Sequence, residues 1–104
     1  MARKTKAQLA VEAEHARIER AFENVCAVLT DSIVDAVRIW PPGDLRQWRI
    51  EDAAGNFQGA RLMMIALGYD YPPMPSEWRE WAIAAAEEIV AAERRRAEVQ
   101  HATA

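Results

Sequence analysis

The chain has a single cysteine, Cys26, among its 104 residues. No intramolecular disulfide can form, so the fold must rest on a packed core, and a reducing, cytoplasmic location is the expectation. Glycine is also scarce. The four residues at 43, 55, 59 and 68 are scattered as turn punctuation and build no phosphate-cradling loop. No apolar run reaches membrane-spanning length. The basic start at Arg3, Lys4 and Lys6 leads into a Glu-containing amphipathic segment, where a signal peptide would have an apolar core. Positive charge is in deficit as well. Thirteen Lys and Arg face sixteen Asp and Glu, for a net charge of −3. That balance argues against binding duplex DNA through phosphates alone, and the acidic or mixed polar faces argue against a membrane-surface helix.

What remains is a globular composition, 51% apolar and 28% charged, in a chain of one-domain length. Alanine is abundant, which favours helix. Thr5 and Gln8 have capping-box spacing. From there Val11, His15, Ile18, Phe22, Val25 and Leu29 recur at steps of four and three, predicting a helix over 6–29. Thr30, Asp31 and Ser32 are good N-caps and poor helix interior. They predict a kink or a new helix over 32–40, closed by Pro41 and Pro42. Asp44 reads as the cap of a short helix over 45–53 with Leu45 and Trp48 facing inward. Asn56 reads as the cap of another over 57–67, ended by Gly68. A hairpin over 47–62 is the rival reading. Ser76 opens a last helix over 76–99, with Trp78, Ala82, Ala85, Ile89, Ala92 and Val99 as its seam. The expected architecture is all-α, a single helical domain over 1–104 with frayed ends at 1–4 and 100–104. Its two long helices, first and last, are expected to pack antiparallel with the shorter ones between them.

Catalysis finds little support in these residues. Cys26 sits on the inward side of a helix, and no motif supplies the orienting group or oxyanion site a Cys/His dyad needs. Glu12-x-x-His15 and Glu98-x-x-His101 share the spacing of bundle metal ligands. A helical-bundle metal protein is therefore one alternative, although no cofactor is expected. A helix-turn-helix around Gly55 lacks the usual alanine four residues earlier, where Glu51 stands. If the end helices were antiparallel, Arg3, Lys4 and Lys6 would approach Arg94, Arg95 and Arg96. The joint basic patch would suit single-stranded nucleic acid.

The residues that stand out instead are those of an interaction surface. Tyr69, Tyr71, Met74 and Trp81 are types enriched at interface centres, and Pro72, Pro73 and Pro75 stiffen the backbone between them. Trp78, on the seam, belongs to the core. Glu12, Glu19, Glu23, Glu51 and Asp52 supply acidic faces that would steer a basic partner. In its small size, acidity, helicity and lack of motifs the chain resembles, in a generic way, the accessory proteins of phages and mobile elements, anti-CRISPR inhibitors among them. The resemblance implies a non-enzymatic protein, monomeric or homodimeric, that blocks a protein or nucleoprotein complex of a host defence system.

Overall fold

The structure, a computed structural model, describes residues 3–70 and 72–103. They form three helices: α1 Lys6–Ile39, α2 Asp44–Ala66 and α3 Pro75–Thr103. No strand occurs among the described residues, so the all-α expectation holds and the hairpin does not form. The five expected segments are three helices, because two expected breaks are absent.

At the first of these, Thr30 Oγ1 donates to the Cys26 carbonyl at 2.8 Å and Ser32 Oγ to the Val28 carbonyl at 3.3 Å. The hydroxyls bond back along the helix instead of capping a new one. Leu29, Ile33, Ala36 and Val37 are buried in one continuous stripe across the site. At the second, Gly55 and Asn56 lie inside α2. A glycine there costs about 1 kcal/mol relative to alanine. A continuous helix keeps Ile50, Ala53, Phe57 and Met64 buried on one face. Holding Phe57 and Met64 in register contributes about 1.5–3 kcal/mol each, which exceeds the glycine cost.

The ends follow local chemistry. The capping box of α1 forms, with the Gln8 N–H donating to Thr5 Oγ1 at 3.1 Å and the Thr5 N–H to Gln8 Oε1 at 2.8 Å. Asp44 is the first residue of α2, not its cap, and its charge suits the positive end of the helix. Gly68, at φ +87°, closes α2. Its N–H donates to the Ile65 carbonyl and that of Tyr69 to the Met64 carbonyl at 3.1 Å, the paired bonds of a left-handed C-terminal cap. Pro75 takes the first position of α3, one residue ahead of the predicted start, where a missing N–H costs nothing. α3 then continues past the predicted end at 99 to Thr103.

Four contacts fix the packing direction. Phe22 meets Phe57 at 6.1 Å, and Phe57 stacks on Trp78 at 4.6 Å and 3°. Arg38 holds Glu93 through Nε (3.0 Å) and Nη2 (2.8 Å), while Tyr69 meets His15. Going from Phe22 to Arg38 in α1 therefore matches going from Trp78 to Glu93 in α3. The first and last helices run parallel, against the expected antiparallel pair. The physical reason is the two connections, 40–43 and 67–74, each of which reverses the chain.

The core contains Leu29, Ile33, Val34, Ala36 and Val37 from α1 and Ile50, Ala53 and Phe57 from α2. α3 contributes Trp78, Ala82, Ala86 and Val90. That last stripe steps by four throughout. The expected 4-3 seam is buried at its start, at Trp78 and Ala82, half-buried at Ala85 and Ala92, and exposed at Ile89 and Val99. The three helices lie side by side in a thin plate, 63 × 34 × 16 Å. α1 and α3 are also staggered. Residues 3–17 and 94–102 are all exposed, leaving a helical overhang at each end of the plate.

Candidate interaction surfaces

The aromatic connector divides between a clasp and a surface. Tyr69 is half-buried; its hydroxyl donates to the His15 carbonyl at 3.4 Å and the two rings lie 5.4 Å apart. Burial, with Glu19 and Glu14 nearby, raises its phenol above the usual range. Tyr69 thus ties the α2–α3 connection to α1. Tyr71 lies outside the described residues. Met74 is exposed, and Trp81 is 61% exposed.

Trp81 stands at the mouth of a groove between α1 and α3, lined by Phe22, Cys26, Phe57, Pro73 and Trp78. A second depression, along Glu23, Ala27, Thr30 and Asp31, opens on its other side. The side chain left outward on the flank of the last helix therefore joins an apolar strip on α1, with Glu23, Asp31 and Glu77 around it. Cys26 forms part of the floor. Burial, and then the Glu23 carboxylate, push its thiol above the ordinary range. A thiol held protonated is the opposite of an activated nucleophile.

The five acids do not share one surface. Glu12 is taken by Lys4 Nζ at 2.5 Å. Glu19 lies near Tyr69 and Glu23 near Cys26. Glu51 accepts from Gln47 at 3.1 Å and sits 4.0 Å from Arg79 of α3, whereas Asp52 lines the α1–α2 side with Asp35 and Arg49. Of the five, only Glu23 borders the Trp81 groove.

Parallel packing also separates the two ends. Arg38 marks the level of Glu93, so Arg94, Arg95 and Arg96 lie roughly 50 Å along α1 from Arg3, Lys4 and Lys6, at 1.5 Å per residue. The joint basic patch does not form. By the same geometry the Glu12–His15 and Glu98–His101 pairs sit at opposite ends of the molecule, roughly 45 Å apart. Among the described residues no group of three or more His, Cys, Asp and Glu side chains converges. The helix-turn-helix disappears with the turn it required, because α2 is continuous.

One surface escaped the sequence reading. Leu45 and Trp48, expected to face inward, are 67% and 62% exposed. They lie across the helix from Ile50, Ala53 and Phe57. Leu62 (52%) and Met63 (63%) join them further along. Trp48, Asp52, Gly55, Gly59, Leu62 and Ala66 form a second 4-3 seam opposite the buried one. That seam is legible once 44–66 is taken as one helix; the two expected breaks hid it. At its start the Arg49 guanidinium lies 5.1 Å from the Trp40 ring and 5.7 Å from that of Trp48.

No helix among the described residues is long and apolar enough to cross a membrane. Compared with protein-family models, with curated proteins and with solved structures, the chain matches none.

Proposed function

We propose that this protein is a non-enzymatic binding protein that acts by occupying a surface of a larger protein or nucleoprotein partner. The observation that carries the reading is the exposed Trp81 beside the apolar α1–α3 groove, with Glu23, Asp31 and Glu77 around it. A large, rigid aromatic ring next to an open apolar strip is the usual centre of an interface, and an acidic rim favours a partner with basic residues around an apolar anchor. Basic grooves are typical of nucleic-acid-handling machines. The compositional resemblance to phage accessory proteins makes a host defence complex the first partner class to test. Direct single-strand binding is the weaker reading, because its two basic runs lie far apart.

The test is affinity capture from lysate of the native host with wild-type protein, Trp81→Glu and an Arg94→Ala/Arg95→Ala/Arg96→Ala triple variant. The expected result is a partner retained by wild type and the triple variant and lost with Trp81→Glu, with helical circular dichroism unchanged. Equal capture by Trp81→Glu overturns the assignment of the surface. Salt-sensitive, micromolar binding of labelled single strands that vanishes in the triple variant overturns the reading itself.

A further inference from the structure

The outer face of α2 is apolar at both ends and small in the middle, and none of the described residues covers it. Leu45 and Trp48 lie at one end, Gly55 and Gly59 at the centre, and Leu62, Met63 and Ala66 at the other. We infer that two copies of this chain associate through this face, with the α2 helices antiparallel and crossing at Gly55 and Gly59.

Three observations select a second copy as the occupant. The first is area. The chain exposes 7900 Å², against roughly 5,900 Å² for a compact monomer of its mass. The overhangs share that surplus, but on the α2 face Leu45, Trp48, Leu62 and Met63 alone expose on the order of 500 Å², most of the roughly 800 Å² per partner of a standard interface.

The second is self-complementarity. The seam at 48, 52, 55, 59, 62 and 66 steps 4-3-4-3-4, which reads the same in both directions. About a two-fold axis midway between the glycines, Gly55 meets the other copy's Gly59, and bulky Trp48 meets small Ala66. An isologous pairing needs this match of a patch to its own reverse. Among the described residues the glycines have no turn or close approach to serve, since a Cβ added at either meets no atom within 4 Å. A second backbone crossing at that point gives them one.

The third is charge. Asp52 is the one ionisable residue on the seam, and it faces Leu62 in this register. The two Asp52 side chains are then separated by about 15 Å along the axis, beyond the roughly 8 Å screening length at physiological ionic strength. No like charges meet, and the Trp81 groove, which lies between α1 and α3, stays open for a partner.

The experiment is sedimentation equilibrium of the full chain from 1 to 200 µM, with Trp48→Glu, Gly59→Leu and Trp81→Glu. Wild type is expected to reach twice the monomer mass of 11.7 kDa within this range. Trp48→Glu and Gly59→Leu each weaken association at least tenfold, while Trp81→Glu leaves it unchanged. Gly59→Leu is the decisive variant, because its side chain enters open space in the monomer and leaves helicity intact or raised. A wild type that stays monomeric at 200 µM overturns the inference. So does a dimer indifferent to Trp48→Glu and Gly59→Leu, or one broken by Trp81→Glu. Monomeric Trp48→Glu that still captures the partner through Trp81 keeps this outcome separate from that of the proposed function.

Discussion

Phe57→Ala should be the most damaging single truncation in this chain. Phe57 is 1% exposed and, with Ile33, is the largest side chain buried whole. It lies face to face with the Trp78 ring from α3 and edges toward Phe22 from α1, so all three helices meet on it. Truncating a buried phenylalanine costs about 3–5 kcal/mol. The lost stack is worth about 0.5–1.5 kcal/mol beyond area, which places the expectation in the upper half of that range. A chain of this length has about 5–15 kcal/mol in total, and a thin core, in a molecule 16 Å across its shortest extent, puts this one near the lower end. The variant should then sit close to its midpoint at 25 °C, with Tm lowered by about 15–30 °C. Phe22→Ala, half-buried and tilted, should cost less than half as much. Thermal and urea unfolding followed by circular dichroism at 1 µM or below supplies the comparison. A double-mutant cycle with Trp78→Leu should return a coupling of about 0.5–1.5 kcal/mol. A Phe57→Ala loss under about 1.5 kcal/mol, or a Phe22→Ala loss that exceeds it, refutes the three-helix junction.

Three further outcomes follow from the end of α1, the α1–α3 ion pair and the thiol. Thr5→Ala removes a cap worth about 1 kcal/mol, but the first turns of α1 are exposed and lie ahead of the Tyr69–His15 clasp. Amide exchange in the first turns should therefore speed about fivefold with no change in the global midpoint, and a lowered midpoint contradicts the overhang. The carboxyl of Glu93 is held below its ordinary range, first by the hydrogen bonds from Arg38 and then by that residue's charge. Its contribution is complete above the unfolded value near 4.3 and disappears as pH falls through the lower folded one. Wild type should consequently lose more Tm than Glu93→Gln between about pH 5 and pH 3, and matching acid limbs sink the idea. Burial and Glu23 keep Cys26 protonated, so its alkylation at pH 8 should be slower than in urea-unfolded chain and faster in Glu23→Gln. A native rate equal to the unfolded one argues against the groove floor.

Helix existence was legible from the sequence because it is a local property. The capping box at Thr5 and Gln8, the stop before Pro41 and the glycine cap at 68 each depend on residues within one turn of one another, and each forms. Trp78 was legible as core for the same reason, as a large ring at the start of an apolar stripe. The two expected breaks failed because they weigh local preference against burial elsewhere. Thr30 and Ser32 can cap or can bond back four residues. Which they do is decided by whether Leu29 and Ile33 must stay on one face, and a neighbouring helix settles that.

Register and direction were out of reach for a further reason. The seam read through Val11, His15, Ile18, Phe22, Val25 and Leu29 is a real helical stripe, yet only its upper part reaches the core, and Val11 and Val25 remain exposed. Periodicity shows that a face is apolar and leaves open how much of it a partner helix covers. That coverage depends on where the bulky residues of the other helices fall. Phe57 and Trp78 set the lower limit of the core at the level of Phe22, and the Arg38–Glu93 pair sets the upper. Below the lower level Met64 is still buried and Tyr69 still clasps His15, and the helix ends past these are overhang. The same logic hid the outer face of α2. A helix with one apolar stripe has an inside and an outside, but α2 has two, and sequence alone gives no reason to bury Ile50 and Phe57 over Trp48 and Leu62. Volume decides. The three-helix junction needs one ring that meets Phe22 and Trp78 at once, and the opposite face offers glycines at the matching level. Once Phe57 is inside, Trp48 must be outside. The exposed seam is thus a direct consequence of how the core is filled.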